Sequence, residues 1–302
     1  MPTRLRVGAG LAAGLIAVVC LAVPAFADGL QRFQQDIAPK LRKSEFIYEK
    51  ASPLGANGFV LERVTVFSPM QGGRLAQPEL RVARLEVEEL DFDGFAAGEA
   101  RFAKVAAKGM VVPENGTYGT DLRPLAAAAS PADGRLDYRY DPASQVLWVN
   151  RFDLVSGRDR FSLEMVLDKV RSLRDSRTWD ASVSVRSARI VYDNHQTLAR
   201  VLRILGARSG KTEDVLQREW LSRIAIASAG KAPRTTQAAD AIASFLQDYR
   251  QPKGPLTVTM RPAQPVPFAL VLAALFLPDP AQVVGLAAAY PATRPGAAAL
   301  AR

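Results

Sequence analysis

Cysteine and histidine are almost missing from this chain of 302 residues, which has one of each, Cys20 and His195. Cys20 lies in an N-terminal apolar run, so the body of the chain carries no thiol. That excludes disulfide staples, a thiolate nucleophile and cysteine-type metal sites. A lone histidine cannot supply the three or four ligands of a zinc centre, and no acid–base–nucleophile set gathers around it in sequence. His195, after Asp193-Asn194, reads as a surface turn residue where strand gives way to helix. No complete calcium loop occurs, since Asp91-Phe92-Asp93-Gly94 is only a fragment of one. Runs of like charge are also lacking. The +9 surplus is dispersed, with no block of five Lys or Arg, so there is no nucleic-acid footprint. Dispersed charge suits solubility, or contact with anionic headgroups or polysaccharide at a membrane surface.

What is present begins with a leader. Arg4 and Arg6 precede the apolar run Leu11 to Val23, and Ala25-Phe26-Ala27 is a small-x-small cleavage signal. The run is too short to be a secure bilayer span. Residue 19 before Cys20 is valine, whereas lipoprotein processing prefers a small residue there. A signal peptide over 1–27, cut after Ala27, is the expectation, with a periplasmic mature protein whose charge falls by two to +7. That compartment holds no ATP, so neither nucleotide nor other cofactor is expected.

The chain is organised around one strand pattern. Leu85-Glu86-Val87-Glu88-Glu89-Leu90-Asp91-Phe92 is echoed by Leu147 to Leu154 and, more loosely, by Val183 to Ile190. Side chains alternate along a strand, so Leu85 and Val87 share a face. Two residues then intervene before Leu90. A β-bulge absorbs the extra residue and bends the strand. The expectation is therefore a curved antiparallel sheet built from duplicated strand units. Strands are predicted near 59–67, 80–92, 100–112, 136–140, 146–154, 161–167, 182–192 and 256–260.

Helical spacing appears elsewhere. Phe33, Ile37, Leu41 and Phe46 suggest a helix over 28–50, interrupted by Pro39. Residues 195–251 carry three helical stripes, with Thr212 as an N-cap and Thr235 or Thr236 as another, and with Gly206, Gly230 and Gly254 at helix ends. Val266 to Leu277 is apolar almost throughout and predicts a buried helix, followed by a short helix over 280–289. The fold class is thus α+β. One domain spans 28–290, with a helical insert at 195–251, C-terminal apolar helices and a disordered tail at 291–302.

Candidate chemistry is sparse. Gly206 to Thr212 looks like a phosphate loop but has three residues between its glycines rather than four, and follows a helix. It reads as one helix ending and another being capped. Glu86, Glu88, Glu89, Asp91 and Asp93 cluster, and alternate acids on a half-wet strand are usually its solvated face. A groove between the curved sheet and the apolar helix predicts an apolar or lipid-like ligand touching Leu85, Val87, Trp148, Phe268, Leu272 and Phe276.

Three phrases, Leu136 to Pro142, Leu147 to Leu154 and Phe161 to Leu167, resemble a type of exported alphaproteobacterial protein of uncharacterised function, as does Leu256 to Pro267. In texture the strands are similar to those of AsmA-like envelope proteins, which are longer and membrane-anchored. Neither resemblance implies catalytic residues. The expectation is a non-enzymatic periplasmic binding module for an apolar or lipid-like ligand, or an envelope scaffold with a protein partner. The alternative is a polysaccharide hydrolase working through two carboxylates.

Overall fold

A computed structural model describes residues 29–41, 46–67, 78–96, 99–113, 131–173, 182–272 and 279–291. The chain divides into two compact units, one running to Phe152 and including Val170–Thr178, the other made of Asp153–Lys169 and the chain from Trp179. The fold is α+β with antiparallel strands.

The first unit opens on a helical stretch, α1 (Gly29–Arg32), continued by a π turn to Ile37 and a 3-10 turn to Lys40. Phe33 and Ile37 are 1% exposed and anchor it, as their four-residue spacing predicts. The helix does not reach residue 50. Pro39 lies in the closing 3-10 turn, and Leu41 is already extended. Strands β1 (Phe46–Ile47) and β2 (Lys50–Leu54) occupy the stretch expected to be helical. Both pair with β3 (Gly58–Phe67), which lies beside β4 (Pro78–Leu90). A short α2 (Phe92–Ala96) leads into β5 (Phe102–Val111), then β6 (Ala132–Asp141) and β7 (Val146–Ser156), of which the residues up to Phe152 belong to this unit. The order β1-β3-β4-β5-β6-β7 is a meander, the simplest route for short connections.

The bulge falls where the pattern requires it. Val87 pairs with Val105 and Glu89 with Lys104, leaving Glu88 as the extra residue. Leu85, Val87, Leu90 and Phe92 are then all buried. Phe33 stacks on Phe59 at 4.5 Å, and Phe59 meets Phe92 at 6.2 Å. Burying these rings, together with aliphatic neighbours such as Ile37, Leu61 and Leu85, stabilises the unit.

In the second unit β8 (Asp159–Asp168) pairs with β9 (Ser184–Asp193). Val166 faces Ser187 and Leu167 faces Val185, so Arg186 is the unpaired residue. It occupies the same place in the looser copy of the pattern as Glu88 does in the first. Three helices follow: α3 (Thr197–Ser209), α4 (Glu213–Ser228) and α5 (Pro233–Gln247). Leu202, Leu216 and Tyr249 form their core, with Leu198, Leu205 and Trp220 packed against it. The Thr212 hydroxyl accepts from Val215 N–H, as expected of an N-cap. Gly206, however, does not end α3. It lies inside the helix under Lys211, whose carbonyl would be 2.5 Å from an added Cβ. The end comes at Gly210, in the left-handed conformation. α5 begins at Pro233, with Ala232 at the N-cap position, three residues earlier than a Thr235 cap would place it.

The C-terminal expectation is corrected. β10 (Leu256–Met260) lies next to β9, and Val266–Pro267 adds a short β11. Within the apolar run the described helix is only α6 (Phe268–Leu272), with Leu270 exposed. Residues 273–278, and the tail from 292, lie outside the described residues. α7 (Pro280–Val283) is a single turn, and residues 286–289 are not helical but form β12, paired with β10. Gly285, at a φ of 60°, makes that reversal, and a Cβ there would fall 2.1 Å from Arg261 O. Pairing with β10 overrides the helix preference of Leu286-Ala287-Ala288-Ala289.

Candidate functional site

The bulge at Glu88 also sets the wet face of the first unit. Beyond it, Glu89 pairs with Lys104, and Lys104 with Asp137. Asn150 on β7 completes the row, its Nδ2 donating to Asp137 Oδ1 at 3.0 Å. The next row of this face holds Phe102 opposite Arg139, with Trp148 two residues before Asn150. These side chains line a depression of about 270 Å³. Its floor is sheet, because the intervening residues Ala103 and Tyr138 face the core and are buried. A second hollow of about 320 Å³ shares Glu89 and Phe102 and is walled by Arg32 and Phe92. There the Arg32 guanidinium lies 4.6 Å over the Phe92 ring and pairs with Asp93 at 2.6 Å.

The electrostatics of the main depression are mixed. Lys104 Nζ lies 3.4 Å from Glu88 and 3.9 Å from Glu89. The Glu89 side chain is 60% exposed, and Asp137 is half-buried. Two strand spacings separate Glu89 from Asp137, about 10 Å at about 4.8 Å per strand. A glycosidase acid must be kept protonated by an apolar pocket. Glu89 is instead open to water, and Asp137 is held by Asn150.

The buried acids are committed elsewhere. Asp91 is held by Arg101 and by the N–H groups of Gly94 and Arg101. Asp168 pairs with Arg186 at 2.7 Å. Asp159 accepts from the backbone of His195 and Gln196. The His195 ring has Asp193 3.6 Å from Nε2. Lys211 of the phosphate-loop lookalike is paired with Glu219 at 2.6 Å, between the two helix ends expected there.

The six residues expected to touch an apolar ligand are placed differently from one another. Leu85 and Val87 are 2% and 0% exposed, inside the packing of the first unit. Trp148 is on the opposite, wet face and lines the depression. Phe268, half-buried, and Leu272 belong to α6 in the second unit, while Phe276 lies outside the described residues. Sequence reasoning did not single out Lys104, Asp137 or Asn150. The usable signal was the clean alternation of β6, where Leu136, Tyr138 and Tyr140 are buried and Asp137 and Arg139 are wet.

Among known proteins, a family model described only as "Uncharacterized protein" matches residues 160–289. That stretch carries β8 to β12 and the three long helices, and the depression around Trp148 lies outside it. No curated protein matches the chain. Among the described residues no helix is long and apolar enough to cross a membrane.

Proposed function

We propose that this is a non-enzymatic recognition module of the bacterial envelope, exported behind the leader ending at Ala27, and that its ligand is a sugar-bearing envelope component. One observation carries the reading. On the wet face of the first unit, Trp148 stands beside a cross-strand row of charged and amide groups. A pyranose has an apolar C–H face and a rim of hydroxyls. An aromatic ring suits the first, and Asp137, Asn150, Arg139 and Lys104 offer hydrogen-bond partners for the second. The exposure of Glu89 favours binding over cleavage, since a water-exposed carboxyl lacks the apolar surroundings that raise a general acid.

Calorimetric titration with oligosaccharides released from the envelope tests this. The Trp148→Ala variant is expected to bind about tenfold more weakly, the scale of one lost aromatic stack of roughly 1.4 kcal/mol. Unchanged affinity would remove the depression from the account. Release of reducing ends would favour the two-carboxylate hydrolase. A lipid found by native mass spectrometry on protein purified from the periplasm would move the ligand to an apolar one.

A further inference from the structure

The helical part of the second unit carries a feature that glycan recognition does not use. Ile226, in the last turns of α4, is 73% exposed. No other large hydrophobic side chain of the described residues exceeds 40%. Ala225 and Ala229 beside it are exposed too. From Trp220 to Ala239 the chain has no Asp or Glu, while Arg223, Lys231 and Arg234 fall in that stretch. Arg223 and Arg234 are exposed and form no salt bridge among the described residues. Lys231 is half-buried and feels the charge of Asp279. The rest of α4 is the opposite case. Its first half pairs its charges, Lys211 with Glu219 and Arg250 with Asp214. Uncompensated positive charge and an unpacked aliphatic chain therefore meet at one helix end.

We propose that the end of α4 and the start of α5, around Ile226, is a contact site for an anionic phospholipid bilayer. The two free arginines would meet lipid phosphates while Ile226 enters the headgroup–acyl boundary. Such a surface is drawn to anionic lipid and gains further by burying its apolar group. A soluble acidic protein would satisfy the arginines but would leave no reason for an isolated exposed isoleucine. A second copy of this chain would meet the same arginines with like charge. Each basic residue is worth about fivefold in membrane affinity, and Ile226 about tenfold, so binding is weak and reversible.

The test is co-sedimentation of the mature chain with phosphatidylcholine vesicles, with and without phosphatidylglycerol. Retention is expected only with the anionic lipid. It should be lost near 1 M salt, where the screening length falls to about 3 Å. Ile226→Ser is expected to weaken retention about tenfold, and Arg223→Ala and Arg234→Ala about fivefold each. All three side chains are exposed, so matched unfolding midpoints will show that the variants are folded. Equal retention by neutral vesicles, or an Ile226→Ser variant that sediments like the parent, overturns the proposal. So does a concentration-dependent dimer that Ile226→Ser dissolves while vesicles retain neither protein.

Discussion

An Asp91→Ala variant is expected to lose about 3 kcal/mol of stability, read as a lowered denaturant midpoint. Asp91 is 4% exposed, yet it stays ionised. Burial pushes its carboxyl up. The Arg101 guanidinium, with Nε at 2.6 Å, and the N–H groups of Arg101 and Gly94, at 3.0 and 3.1 Å, more than offset this and hold it below the usual carboxylate range. Alanine leaves two backbone donors without this partner, Gly94 N–H in α2 and Arg101 N–H just before β5. Arg101 is 55% exposed and returns to water, which keeps the loss from being larger. The sign of the pH dependence follows. A carboxyl whose folded pKa is depressed contributes stability above its unfolded pKa, near 3.9, and loses it as pH falls through the lower folded value. Asp91→Asn should therefore flatten the acid limb of the stability curve. Gly94→Ala is expected to act on the same contact, because its Cβ would lie 2.2 Å from Asp91 Oδ2 and 2.7 Å from Glu99 O. If Asp91→Ala unfolds at the parent midpoint, this buried pair contributes nothing to the fold.

That pair sits at the end of the strand pattern from which the architecture could be read. Val87-Glu88-Glu89-Leu90 has one residue too many for alternation, and the extra residue is left out of the β4–β5 ladder as local geometry demands. The three long helices were legible for a similar reason, because their stripes recur at 3.6 residues over many turns. The misreadings share a cause. Phe46 follows the four-residue stripe of Phe33, Ile37 and Leu41 closely enough to be joined to it, though it comes five residues after Leu41, and Leu286 to Ala289 are good helix formers. Both segments instead complete a neighbour's hydrogen-bond ladder, a long-range requirement that local pattern does not carry. The candidate site was less legible still. Glu89, Lys104, Asp137 and Asn150 are far apart in sequence and become neighbours only through strand register. Trp148 could be noticed alone, and the alternation of β6 marks Asp137 and Arg139 as wet, but nothing local joins Lys104 and Asn150 to them before the pairing is known.

In the second unit the largest expected effect is at Asn194. Asn194→Ala should cost about 4 kcal/mol, since it leaves three partners unsatisfied at about 1–3 kcal/mol each, moderated by relaxation. The side chain is 0% exposed. Its Oδ1 accepts from the Tyr192 hydroxyl at 3.1 Å and from Leu198 N–H at 2.9 Å, and its Nδ2 donates to Tyr249 O at 2.9 Å. One amide thus ties the end of β9 to the first turn of α3 and to the chain leaving α5. Gln196, at the N-cap position of α3, gives no side-chain cap. The free N–H groups there are met by Asn194 and by Asp159, which accepts from His195 and from Gln196, the latter at 2.9 Å. Burial pushes the Asp159 carboxyl up, and the donors from His195, Gln196 and Thr197 bring it below its ordinary range. The Tyr192 phenol is pushed well above its ordinary value by burial first and by the Asp159 charge second, so it stays a donor to Asn194 at any working pH. Because Asp159 has a depressed folded pKa, its contribution is full above the unfolded value and fades as acid protonates it. Hydrogen exchange separates these roles. In Asn194→Ala the Leu198 amide should exchange faster while Gln196 stays protected through Asp159. In Asp159→Ala, which removes the acceptor of the His195 and Gln196 N–H groups, the order should reverse. Parallel loss of protection at both amides in either variant would mean that α3 frays as a unit and that neither side chain holds its own donor.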